Sequence, residues 1–297
     1  LRKILLIIIG VTVVLAGISL LGAYLITKQD HGFELGDKVA VIKISGRISM
    51  GDSMGIFGEE VASPENIISK IDKAESDSSV KAILFEINSP GGSVVASEEI
   101  ANRIKEIEKP TVAWMSEMAT SGAYYVASPC DHIVADKGTI TGSIGVISIF
   151  PEYSGLLKKI GVNMTVIKAG EYKDFSTGYR PMREEERAMM EDVILEIYDM
   201  FTEEVARNRN LPVDYVREVA EGKVYSGTRA QELGLVDSVG SRKDAIRIAG
   251  ELGQIEGEPK TITYSERKFF EEFVGVAFYN FGRGFARGLG AGETPRY

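Results

Sequence analysis

Sulfur and imidazole are scarce in this chain. Cys130 is its only cysteine, and His31 and His132 are its only histidines in 297 residues. One thiol excludes an intrachain disulfide framework and any cysteine-built zinc site. Two histidines exclude a multi-histidine metal centre and leave little room for a histidine base. Positive charge is also in deficit, with 34 Lys and Arg against 43 Asp and Glu and a net charge of −9. The basic excess of a nucleic-acid binder is therefore absent. What remains, 44% hydrophobic and 26% charged residues, is a globular composition that rules out a disordered or collagen-like chain.

One long apolar run is present. Ile4 to Ile26 carries no charge and follows Arg2-Lys3. As a helix it would extend roughly 34 Å, enough to cross a bilayer. It exceeds the apolar region of a cleavable signal peptide, and no small-residue cleavage site follows it. The run reads as an uncleaved single-pass anchor occupying residues 1–27. Arg2 and Lys3 place its N-terminus in the cytoplasm, because Lys28 on the other side is diluted by Asp30, Glu34 and Asp37. The chain after it would then lie outside the cytoplasm, tethered to the cell membrane.

After a polar linker over 28–37, the pattern alternates between strands and helices. Lys38 to Ser45 is β-branched and alternating. Pro64 opens a helix to about residue 76. Val80 to Ile87 is an apolar strand, and a helix follows over about 93–108. Thr111 to Met115 is a further strand, with a helix opening near Ser121. Short strands are expected at Ile133-Val134, Ile144–Phe150 and Met164–Lys168, and a helix at 152–160. A long amphipathic helix spans Arg183 to Arg207, with Met190, Ile194, Ile197 and Phe201 on one stripe. This alternation predicts an α/β domain on a parallel sheet over 38–253. Residues 254–297 read as a separate tail with an aromatic stretch from Phe269 to Phe285.

Two strand-to-helix turns carry candidate chemistry. Asn88-Ser-Pro-Gly-Gly-Ser93 pairs glycines where backbone N–H groups can face an oxyanion; a plain turn is an equal reading. Ala119-Thr-Ser-Gly-Ala-Tyr-Tyr125 places Ser121 at a helix start, where a serine is ordinarily a cap. Successive strand ends of this kind favour a shared crevice at the carboxyl edge of the sheet. Gly51-Asp-Ser-Met-Gly55 matches a nucleophile-elbow pattern around Ser53 but lacks its strand–turn–helix context and a late histidine. Ser78-Ser-Val-Lys81 matches a Ser-x-x-Lys pattern at a strand entrance without companion motifs. His132 heads a strand, so a lysine is the alternative base, provided burial lowers its pKa. Lys168 and Lys173 flank Ala169-Gly170-Glu171-Tyr172; Lys173 lies between Glu171 and Asp174, whose charges would hold it protonated if close. Spacing alone does not choose between these lysines.

Four motifs in order resemble the signal peptide peptidase A family of membrane-anchored Ser–Lys proteases, within the ClpP/crotonase superfamily. They are the turns at 88–93 and 119–125, Gly138-Thr-Ile-Thr-Gly-Ser-Ile-Gly-Val146, and Lys168-Ala-Gly-Glu-Tyr-Lys-Asp174. Gly222-Lys-Val-Tyr-Ser-Gly227 and the stretch from Ala230 to Asp237 add to the likeness, which covers roughly 38–245. The resemblance implies a repeated β-β-α superhelix, Ser121 as nucleophile and Lys173 as general base. It further implies an oxyanion hole of the Gly92 and Gly122 N–H groups, with Ser143 positioning the lysine amine. No metal or organic cofactor is implied. The partners implied are membrane lipid, remnant signal peptides as substrates, and further copies of the chain in a ring whose sites take serine and lysine from adjacent subunits. A related protease acting on a membrane-protein partner, a crotonase-type acyl-CoA enzyme and a non-catalytic membrane scaffold are the competing readings.

Overall fold

The structure is a computed structural model and describes residues 36–51 and 61–264. The expected anchor, Ser53 and the aromatic stretch fall outside these residues. Among the described residues, no helix is long and apolar enough to cross a membrane.

The first strand, β1 (Lys38–Ser45), is buried on both sides for most of its length, as expected for a central parallel strand. It leads through β2 (Arg47–Ile48) and β3 (Val61–Ala62) to helix α1 (Pro64–Ser76). Ser63 caps that helix by accepting the Asn66 N–H at 3.4 Å, and Pro64 sits where no N–H is needed. Ile67, Ile71 and Ala74 recur at helical spacing and are buried against the sheet. Strand β4 (Val80–Ser89) pairs parallel with β1, and α2 (Val94–Lys105) returns to β5 (Thr111–Thr120), parallel to β4.

Strand β5 has two neighbours on the same side. Val112–Met115 pairs with β6 (His132–Ala135), whereas Met118–Thr120 pairs with β7 (Ile140–Gly142). The chain passes from β5 to β6 through α3 (Gly122–Ala127), wholly buried. The rest of the chain supplies α4 (Ser154–Lys159), the long α5 (Glu184–Arg209), α6 (Val213–Val219), β8 (Val224–Ser226), α7 (Gly227–Glu232), β9 (Ser238–Val239), α8 (Arg242–Leu252) and β10 (Lys260–Thr263). The main path is β10-β1-β4-β5-β6-β9, with β8 antiparallel to β7.

Alternation along the strands divides the core. Ala40, Ile42, Ile83, Phe85 and Met115 face α1, α2 and α3 on one side. Val39, Val41, Leu84 and Val112 face Ala245 and Ala249 of α8 on the other. Burying a side chain such as Phe85 contributes about 2–3 kcal/mol.

Three expectations differ from what is observed. The sheet continues past residue 253, because β10 adds to the free edge of β1. Ile144–Phe150 is not a strand; the paired segment is β7, just before it. Met164–Lys168 is not a strand either, and residues 161–173 are all exposed. Its β-branched residues have the right propensity but, among the described residues, no neighbouring strand to take up their backbone groups.

Candidate active site

The carboxyl ends of β4 and β5 meet. After Ser89 the chain turns at Gly91 (φ +88°), whose N–H donates to Ser89 Oγ at 3.1 Å. Ile48 then forms a parallel bridge with Gly92: its N–H donates to the Gly91 carbonyl at 3.0 Å, and its carbonyl accepts the Ser93 N–H at 2.9 Å. These bonds leave the Gly92 N–H itself uncommitted. A side chain at Gly92 would place Cβ 1.9 Å from the Ile48 carbonyl oxygen, so this approach requires glycine.

Ser121 lies directly against this turn. A Cβ built on Gly91 would sit 2.6 Å from Gly122 N and 3.1 Å from Ser121 Cβ; one built on Gly122 would sit 3.3 Å from Gly92 N. The Gly92 and Gly122 amides therefore lie side by side next to the serine. Gly122 is the first residue of α3, so its N–H has no acceptor within the helix.

Ser121 is not a cap. Its backbone adopts φ +55°, ψ −126°, and its hydroxyl makes no capping bond. A non-glycine residue in that region stores about 1–3 kcal/mol of strain. Two hydrogen bonds hold it there: the Ser121 N–H donates to Gly142 O at 2.8 Å, and the Tyr125 N–H donates to Ser121 O at 3.0 Å. Ser143, the residue after that acceptor, is itself at φ +51°, and its N–H donates to Lys223 O at 2.7 Å. The Gly138–Val146 and Gly222–Gly227 motifs thus meet as β7 and β8 and buttress the serine from behind.

The histidine is placed elsewhere. His132 pairs with Val112, at the far end of β5 from Ser121, roughly 30 Å away at the rise of a strand. Its Nε2 lies 2.8 Å from Ser238 Oγ, a structural contact. Cys130 is fully buried, and desolvation pushes its thiol pKa up. Lys81 is a surface residue that donates to the Ser78 carbonyl at 3.1 Å and pairs with Asp37, so the Ser-x-x-Lys pattern is the turn that enters β4.

Lys173 is exposed, in a turn closed by its own N–H to Gly170 O at 3.3 Å. Among the described residues its amine has no hydrogen bond or ion pair, and none joins it to Ser121. The flanking carboxylates are occupied. Glu171 pairs with Arg183 at 3.1 Å; Asp174 pairs with Lys168 at 2.5 Å and Arg180 at 2.7 Å. The hydrogen bonds from Arg180, then Lys168, hold the Asp174 carboxyl well below the usual range. Arg180, Arg183 and Glu186 were not legible as site residues, because charges spread over this stretch read as a solvated face until they are seen to converge.

Several isoleucines that precede this lysine in the chain are bare. Ile147 is 82%, Ile149 78% and Ile167 96% exposed. Of the expected stripe on α5, only Phe201 is buried; Met190, Ile194 and Ile197 are half-covered.

Comparison with known proteins agrees with this geometry. The model of peptidase family S49 matches residues 103–256, and that of Clp protease matches residues 44–132. A putative protease of Methanocaldococcus jannaschii is 38% identical over 98% of this chain and 93% of its own length. A putative signal peptide peptidase SppA of Enterococcus faecium is 36% identical over 70% of this chain and 62% of its own length. The chloroplastic serine protease SPPA of Arabidopsis thaliana is 36% identical over 74% and 33%. Among solved structures, a mutant of a membrane-bound stomatin-specific protease aligns with TM-score 0.53 at 15% identity, over 78% of this chain and 99% of that one, a likeness of fold. These matches set aside the acyl-CoA and scaffold readings: the chain belongs to peptidase family S49, the signal peptide peptidase A family, and is a serine endopeptidase of mixed α/β, Clp-protease-like fold.

Proposed function

We propose that Ser121 is the nucleophile and Lys173 the general base of this protease, brought together from two copies of the chain. The observation that carries the reading is the strained Ser121 backbone beside the uncommitted Gly92 and Gly122 N–H groups. In the proposed reaction the neutral Lys173 amine removes the Ser121 hydroxyl proton, and Oγ attacks the scissile carbonyl. The Gly92 and Gly122 amides stabilise the resulting oxyanion. The lysine ammonium passes its proton to the leaving amine, and the C–N bond breaks. Lys173 then deprotonates a water that attacks the acyl-enzyme, and the serine is released with its proton restored. Ser143, one residue from the carbonyl that holds Ser121, receives the lysine amine as a hydrogen-bond partner. No metal or cofactor takes part in these steps.

Two features support a site completed by a second copy. Among the described residues Lys173 is exposed and unpaired, and Ile147, Ile149 and Ile167, which precede it in the chain, are bare. Burial of the Lys173 segment against a neighbour would desolvate the amine and favour its neutral form. The substrates proposed are remnant signal peptides, cut in their apolar part, in keeping with the signal peptide peptidase of Enterococcus faecium. The apolar run over Ile4–Ile26 would tether the enzyme to the membrane that holds them, with the catalytic domain outside the cytoplasm. A ring of copies would place one shared site at each contact.

A serine-directed activity probe followed by peptide mapping tests the assignment. The expected adduct is on Ser121, and Ser121→Ala loses roughly 10⁴-fold or more in peptide hydrolysis while keeping its fold, whereas Ser53→Ala stays active. An adduct on Ser53, or an active Ser121→Ala protein, overturns it.

A further inference from the structure

Lys173 lies on a segment with almost nothing apolar to hold it. From residue 161 to 177 the only buried residue is Asp174, a carboxylate. Asp174 is one member of a closed ring of charged side chains. Lys168 Nζ donates to Asp174 Oδ1 at 2.5 Å and to the Glu171 carbonyl at 2.6 Å, folding the 168–174 turn onto itself. Arg180 then bridges two carboxylates with one planar guanidinium. Its Nη2 and Nε reach Asp174 at 2.7 and 3.1 Å; its Nη2 and Nη1 reach Glu186 at 2.6 and 2.8 Å. Glu186, in the first turn of α5, is fully buried and also accepts the Arg183 N–H and Nη2–H, each at 2.9 Å. Arg183 closes the ring on Glu171 at 3.1 Å, pairs with Glu185 at 3.4 Å, and lies over the Tyr172 ring.

We infer that Arg180 is a positioning residue for the lysine: by tying Asp174 to Glu186 it fastens the Lys173 turn to the rigid start of α5. This rests on the reading of Lys173 as the base. Within the ring, Lys168, Arg180 and Arg183 balance Glu171, Asp174 and Glu186. Both carboxylates nearest the base in sequence are therefore occupied, and the turn presents the Lys173 amine without a competing partner. The hydrogen bonds of Arg180, then Arg183, hold the Glu186 carboxyl well below the usual range. Only arginine fits the bridging place, because a lysine ammonium offers no planar fork to two carboxylates. No member of the ring lies on a strand, so loosening it shifts the lysine and leaves the sheet intact.

The test is steady-state kinetics on a quenched fluorogenic peptide with apolar residues at the scissile bond, using the full chain. Lys173→Met is measured first and is expected to be inactive. Arg180→Ala is expected to lose about 10²-fold in kcat, the cost of a misplacement near 1 Å, with KM within about twofold. Glu186→Gln keeps the shape but weakens the bridge, so it loses part of that activity, and Arg180→Lys recovers only part of what Arg180→Ala loses. Melting of the domain stays near that of the wild type. Should Arg180→Ala fold poorly, Glu186→Gln carries the test alone. Wild-type kcat in both variants, or a loss confined to KM, overturns the positioning role while leaving the Ser–Lys reading intact. An active Lys173→Met protein overturns that reading and the inference with it.

Discussion

The hydroxyl of Ser121 is available for chemistry because its backbone is not where a capping serine would be. A cap has extended dihedrals and turns its oxygen to the N–H groups of the first helical turn, as Ser63 and Ser226 do here. Ser121, at φ +55°, is held at positive φ outside that region by Gly142 and Tyr125. This strain gives an unusual stability prediction. Ser121→Gly is expected to be more stable than Ser121→Ala by about 1 kcal/mol, since the strain that glycine relieves outweighs its extra entropic cost. Paired thermal melts of the two inactive proteins check it, and the usual order, alanine above glycine, would remove the strain from the account. At Gly92 the sign reverses. Gly92→Ala drives a methyl into the Ile48 carbonyl and is expected to cost about 1–3 kcal/mol. The same change tilts an amide of the proposed oxyanion hole, so kcat is expected to fall about 10²-fold or more; wild-type kinetics in Gly92→Ala would exclude that amide.

Secondary structure was legible where a segment is satisfied within its own chain. The span of α1 follows from Ser63, Pro64 and the Ile67/Ile71 spacing, and β1 and β4 from their β-branched runs. The Met164–Lys168 segment has the same composition and no partner strand, and it stays irregular. Propensity describes what a segment prefers, whereas a strand needs a neighbour to take its hydrogen bonds. The exposed Ile149 and Ile167 mark where that neighbour would come from. Replacing both with lysine is expected to leave thermal stability of the isolated chain nearly unchanged, since neither is buried there. Sedimentation should show dissociated chains, and peptide hydrolysis should be lost. An assembled, active double variant would show that this surface is not the contact.

Across the whole molecule, the proposal of a shared site has a quantitative consequence. Ser121→Ala and Lys173→Ala chains are each expected to be inactive alone. In a head-to-tail ring, a contact between a Lys173→Ala chain and the next Ser121→Ala chain pairs an intact serine with an intact lysine. Random reassembly of equal amounts restores about a quarter of the sites. Hydrolysis near that fraction after mixing is the expected result. No recovery in verified mixed assemblies would place the dyad within one chain.

The sequence by itself determined the alternation of strands and helices, the two glycine-serine turns and the scarcity of histidine and cysteine, because these follow from local spacing and composition. It could not decide that Ser121 is strained rather than capping. That depends on the Gly142 carbonyl, delivered by a strand that branches from the second half of β5. Nor could it select Arg180 and Glu186 from many surface-type charges, since their role exists only once the 168–174 turn folds against the start of α5. Local preference is written residue by residue, but the meeting of the β4 and β5 ends and the closing of the charged ring are non-local contacts that only the packed sheet and its long helix bring about.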